Sequence, residues 1–146
     1  MSGKVLVSLL LIFTVLFAVT LYYFQVFAYY KTVDSVNSIK IKERTVSVEE
    51  YVGIDSNTSG LKLRGCFQVD PTDFENFPIF ESARPLSAPF WFRCFDSKEL
   101  QLALDKGSAK AFLAMENEKD GIDRIVAIYP NGDGFQWRQL NSKYVD

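Results

Sequence analysis

The chain of 146 residues contains no histidine. That absence removes the imidazole base of Ser-His and Cys-His nucleophile pairs, histidine ligands for metal or haem, and a histidine phosphoacceptor. Cysteine and methionine occur only twice each, so a soft-ligand cage for copper or zinc is thin. Basic clusters are missing too. The net charge is −2, and all 18 acidic residues follow Tyr30 with all but one of the 16 basic ones. A surface of that kind concentrates no cations against phosphate, so nucleic acid is not an expected partner. Internal repeats and low-complexity tracts are absent as well.

What is present first is an apolar run. From Val5 to Tyr30 no residue is charged, with Lys4 and Lys31 on either side. A helix of about 20 residues crosses the hydrocarbon core of a bilayer, so residues 1–30 read as a transmembrane anchor. The competing reading is a cleaved secretory signal, for which Val26 and Ala28 offer a site. The run is long for a signal, and Tyr22, Tyr23, Phe24 and Phe27 crowd the place where small residues are wanted. Tyr22 with Tyr29, and Tyr23 with Tyr30, are spaced to share a helix face at headgroup level, where Gln25 also falls. A short cytoplasmic tail with everything after Tyr30 outside, in a bacterium the periplasm, follows from the few residues before the run and from the cysteines.

Residues 31–38, "KTVDSVNS", read as a polar linker, and 39–146 as an α+β domain. Ile39, Ile41, Val46 and Val48 alternate as in one or two half-buried strands. "DSNTSG" is a loop, and its sequon at Asn57 matters only in a eukaryotic secretory route. Leu61–Val69 alternates Leu61 and Leu63 with Lys62 and Arg64, a strand pattern. Pro71, Pro78, Pro85 and Pro89 make residues 70–89 an extended surface loop. Asp96 followed by Glu99 is a helix-capping pair ahead of Leu100, Ala103 and Leu104, with Gly107 placed to end the helix. Three further strands, Ser108–Met115, Ile122–Tyr129 and Phe135–Leu140, are separated by "NEKDG" and "PNGDG" turns. An antiparallel sheet with one packed helix is the expected architecture.

Candidate sites are few. Cys66 and Cys94 lie after the anchor, where a disulfide closing a loop of about 29 residues would add about 3–4 kcal/mol. Switchable thiols or a metal-bound pair remain alternatives, although no CxxC spacing or neighbouring base supports them; Arg64 and Arg93 are the only nearby groups to lower a thiol pKa. In "FWFRCF" strand alternation would send Phe90, Phe92 and Cys94 to one face and Trp91, Arg93 and Phe95 to the other. A strand apolar on both faces suits a covered core position. Should Trp91, Arg93 and Phe95 face water, they are the candidate partner-binding residues. Asp70, Asp73, Glu75 and Glu81 offer a carboxylate pair for glycoside hydrolysis, but in a proline-rich loop they read as solvated surface. "PNGDG" lacks the ligand spacing of an EF-hand and the lysine of a P-loop. No residue is assigned catalytic or metal-binding work, and no cofactor is expected.

"LRGCF", "RPLSAPFWFRCFD" and "GIDRIVAIYPNGDGFQWRQLN" together resemble an uncharacterised family of alphaproteobacterial single-pass proteins, some of them labelled histidine kinases automatically. The likeness runs from the anchor to near Asn141. It implies an inner-membrane anchor, a periplasmic domain and a shared cysteine pair at Cys66 and Cys94. This chain departs by carrying Arg138 where the resemblance leads one to expect histidine. The kinase label has no phosphoacceptor histidine and no glycine-rich nucleotide loop behind it.

The expectation is therefore a non-enzymatic, membrane-tethered accessory or assembly protein that contacts the lipid bilayer through its helix and an envelope protein through its domain. The alternative is a thiol-based redox protein or metallochaperone using Cys66 and Cys94, and a carboxylate hydrolase centred on the loop from Pro71 to Glu81 is a third class.

Overall fold

The computed structural model describes residues 1–145. They form two compact units, one of Met1–Tyr30 and one beginning at Lys31.

The first unit is helix α1, Gly3–Tyr23, continued by a π-helical turn over Phe24–Ala28. Its Thr14 and Thr20 hydroxyls donate to the Leu10 and Leu16 carbonyls at 2.9 and 2.8 Å, so neither polar side chain is left to seek water. The helix is long and apolar enough to cross a membrane. The π turn changes which aromatics meet. Tyr22 lies against Phe27 and Phe24 against Tyr29, in each case five residues on rather than seven.

The second unit is α+β. Its strands are β1 Lys31–Asp34, β2 Ser38–Ile41, β3 Arg44–Ser47, β4 Glu49–Asp55, β5 Arg64–Gln68, β6 Lys110–Lys119, β7 Ile122–Ile128 and β8 Asp133–Leu140, and its helix is α2, Ser97–Lys106. Six strands make one antiparallel sheet in the order β1-β4-β5-β8-β7-β6, while β2 and β3 form a separate hairpin.

Both faces of the sheet are covered, which explains why β7 is buried from Asp123 to Ile128 without alternation. On the first face the hairpin packs Ile39, Ile41, Val46 and Val48 with Phe67, Phe112 and Val126. Each such side chain contributes about 1.5–3 kcal/mol when fully buried. Phe67 stacks on Tyr51 with ring centroids 6.0 Å apart. Its ring also lies over Gly134, where a Cβ would fall 2.2 Å from it, so the close approach requires glycine. On the second face Trp137 is fully buried, and Phe95 meets it and Phe135 edge-on at 6.2 and 6.0 Å.

Helix α2 begins as its sequence predicts. The Asp96 carboxylate accepts from the Lys98 and Glu99 amides at 3.0 and 3.1 Å, and Gly107 ends the helix at φ 78°. The helix buries Leu100 and Ala103.

Three expectations change. The segment 31–38 is not wholly a linker, because β1 starts at Lys31 and pairs with β4 from Lys31↔Asp55 to Asp34↔Val52. β4 itself had no sequence counterpart: a register shift between Glu49 and Val52, with Glu50 at φ 51°, breaks the alternation that would mark a strand. The "NEKDG" turn is shorter than expected, since β6 runs on to Lys119 through register shifts that place Asn117 at φ 48°.

Candidate functional site

Of the segment between β5 and α2, the part from Ser82 to Phe95 covers the second face of the sheet with almost no regular structure, so its backbone groups need partners from elsewhere. Three side chains of the sheet hold it. Cys66 of β5 is bonded to Cys94, 28 residues on. Arg64, two residues earlier on the same face, donates from Nε to the Leu86 carbonyl at 3.1 Å and from Nη2 to the Ser87 carbonyl at 2.9 Å. Its Nη1 donates to the Leu61 and Leu63 carbonyls, and the guanidinium carbon stands 5.7 Å from the Phe95 ring centroid. Gln139 of β8 donates to the Ser82 carbonyl at 3.0 Å, while its oxygen accepts from the Arg84 amide at 2.8 Å and the Trp137 indole at 3.0 Å. The stretch from Ser82 to Cys94 is thereby pinned near both ends and in the middle.

The aromatic run is a turn rather than a strand, because the Phe92 amide closes onto the Pro89 carbonyl at 2.9 Å. Alternation therefore fails. Phe92 and Phe95 are both buried, Trp91 is half-buried, and Arg93 and Cys94 are exposed. Phe95 belongs to the core and presents nothing to a partner; Trp91 and Arg93 remain at the surface. Phe90, grouped by alternation with Phe92 and Cys94 in a strand expected to be covered, is instead 68% exposed. Arg64 was missed as well, since a charge alternating with leucines reads as a solvent-facing residue.

Of the acidic candidates, Asp70 and Asp73 lie on one 3-10 turn. Asp70 caps a single 3-10 turn, accepting from the Thr72 amide and hydroxyl at 3.0 and 2.8 Å; the Thr72 amide bond is the first reason its carboxyl lies below the usual range. Asp73, Glu75 and Glu81 are exposed. "PNGDG" is a hairpin turn in which the Tyr129 amide donates to the Asp133 carbonyl at 2.9 Å. Among the described residues no three histidine, cysteine, aspartate or glutamate side chains are grouped to hold a metal.

Two polar arrangements had no forecast in the sequence. On the first face Arg138 bridges Glu118 at 2.7 Å and Asp55 at 3.1 Å, and Arg124 reaches Glu118 at 2.9 Å. Burial pushes the Glu118 carboxyl up, but the Arg138 and Arg124 bonds and charges outweigh it and hold the group below its ordinary value. Arg138 thus serves as a structural bridge.

On the second face, against the first residues of the pinned segment, lies a groove of about 610 Å³. Leu61, Phe80, Leu86, Leu113, Leu140 and Val145 supply its apolar walls. Asp123, 6% exposed, and Gln139, 7% exposed, also line it. Asp123 Oδ1 accepts from the Asn117 amide at 2.9 Å and from Asn141 Nδ2 at 2.8 Å.

No curated protein and no solved structure matches the chain. A family model does match, over residues 33–145, which is nearly all of the unit that begins at Lys31. The chain therefore belongs to a family of unknown function, DUF6446.

Proposed function

We propose that the protein is a non-enzymatic accessory or assembly factor, tethered to the bacterial inner membrane by α1, whose periplasmic domain binds another envelope protein. The observation that carries this reading is the pairing of a segment pinned by Cys94, Arg64 and Gln139 with an aromatic ring at its surface: Phe90 is 68% exposed and Arg93 is exposed beside it. Aromatic and arginine side chains held in one geometry lose little entropy on binding and are the residue types on which interface energy concentrates. The apolar helix supports the tether, and the disulfide supports an oxidising compartment for the domain.

The test is a photo-crosslinking amino acid placed at Phe90 in intact cells, with Lys106 on α2 as the control position. A discrete adduct from position 90 and none from 106 is expected. Equal labelling at both positions, or none at either, overturns the reading.

A second reading, thiol exchange or metal transfer at Cys66 and Cys94, is favoured by one observation, the exposure of Cys94. It requires thiols that react with a membrane-impermeant alkylating reagent in cells before any reductant is added. Complete protection until reduction excludes it and supports a domain outside with a structural bond.

A further inference from the structure

The groove on the second face contains a charge that the fold leaves uncompensated. Asp123 is 6% exposed and takes part in none of the ion pairs among the described residues. Both of its hydrogen bonds end on Oδ1. No deeply buried side-chain oxygen or nitrogen among the described residues lacks a partner, so Oδ2, which accepts no hydrogen bond, keeps some exposure, and the groove is the cavity that Asp123 lines. A carboxylate held in place by two donors, with one unpaired oxygen beside apolar walls, favours a cation.

The shape of the site narrows the cation. One free oxygen offers one strong acceptor, which suits the ammonium of lysine as a point charge better than the two-pronged guanidinium of arginine. A divalent metal would want several oxygen ligands, and among the described residues no group of acidic side chains supplies them. Arg84 and Glu116 in the lining carry opposite charges and leave Asp123 to set the sign. The volume, about 610 Å³, is within the roughly 300–1,000 Å³ of sites that enclose drug-sized ligands and far exceeds what a lone alkylamine fills. Leu61, Phe80, Leu86, Leu113, Leu140 and Val145 offer room for apolar side chains on either side of the charge.

We infer that this groove docks a short apolar segment of a partner protein through a single lysine, whose ammonium pairs with Asp123 Oδ2. The inference is independent of the Phe90 surface and holds or fails without it.

The test uses the full chain in detergent micelles with ¹⁵N-labelled tryptophan. The Trp137 indole N–H, bonded to Gln139 at the groove, is the reporter. The probes are acetyl-Leu-Lys-Leu-amide, its norleucine and arginine counterparts, and n-hexylammonium. Saturable shifts with the lysine peptide are expected at concentrations at least ten-fold lower than with norleucine, and several-fold lower than with arginine or hexylammonium. Asp123→Asn retains an oxygen for the Asn117 and Asn141 donors and is expected to erase the lysine preference. Leu140→Ala, on the wall, is expected to weaken all three peptides while keeping their ratio. Equal affinity for lysine and norleucine in the parent protein overturns the proposal, whether or not the Asp123 variant folds. Equal or tighter binding of hexylammonium overturns the peptide as occupant, and an unchanged lysine preference in Asp123→Asn overturns the role of the carboxylate.

Discussion

The side-chain amide of Gln136 donates to the Tyr51 hydroxyl at 2.6 Å, joining β8 to β4 over the intervening β5. Burial raises the Tyr51 pKa, and the strand between them carries Gly65, where a Cβ would fall 2.7 Å from the hydroxyl. Tyr51→Phe leaves a buried amide N–H without its acceptor, at a cost of about 1–3 kcal/mol. Gly65→Ala must move the ring as well, and is expected to cost more than Tyr51→Phe. Denaturant midpoints of the two variants against the parent check both the loss and its order.

The Cys66–Cys94 bond closes a long loop on a small domain. Its removal by Cys66→Ser with Cys94→Ser is expected to cost about 3–4 kcal/mol, mostly through the freed unfolded chain. Reduction of the parent protein should reproduce the same shift in midpoint. A double variant as stable as the oxidised parent would show that Arg64 and Gln139 hold the segment unaided.

Arg64 satisfies four carbonyl oxygens with one planar group. Lysine retains the charge but has no fork with which to reach both sides of the segment. Arg64→Lys is therefore expected to destabilise by more than about 2 kcal/mol, with acceptors left bare at about 1–3 kcal/mol each. Hydrogen exchange should report the damage first at the Phe92 amide, which closes the turn.

Glu118 carries the acid sensitivity of the first face. Its folded pKa lies below the unfolded value near 4.3, so its stabilisation is present above that value and is lost as pH falls through the folded one. Glu118→Gln is expected to be less stable than the parent at neutral pH, with the gap closing as pH drops below about 4. Thermal melts of both proteins from pH 7 to pH 3 measure it; a constant gap across that range would remove Glu118 from the account.

Where the backbone follows one rule at a time, the residues announced it. The uncharged run gives α1, Asp96 and Gly107 bracket α2, and glycine-bearing turns separate β6, β7 and β8. The misses share a cause. β4 is bulged at Glu50, so no period of two survives in "EEYVGID". "FWFRCF" alternates as letters but is bent by its turn on Pro89, which brings Phe92 and Phe95 inward together. Arg64 and Asp123 look like surface charges because the hydrogen-bonding partners Leu86, Ser87 and Asn141 are remote in sequence. The candidate groove was illegible for that reason: its walls come from five separate segments.

The order β1-β4-β5-β8-β7-β6 puts the last strand of the chain between two earlier groups. β1, β4 and β5 can pair as soon as they exist, and so can β6 with β7, but no ladder bonds join the groups until β8 enters. Cys66 and Cys94 both precede β8 in the chain, so neither sulfur of the disulfide depends on the strand that joins the two halves of the sheet. Completion of the domain then waits on eight residues, Asp133 to Leu140, which also bring Gln136 to Tyr51 and Gln139 to the covering segment. A chain shortened before Asp133 keeps both cysteines but loses the one strand through which β1, β4 and β5 are joined to β6 and β7.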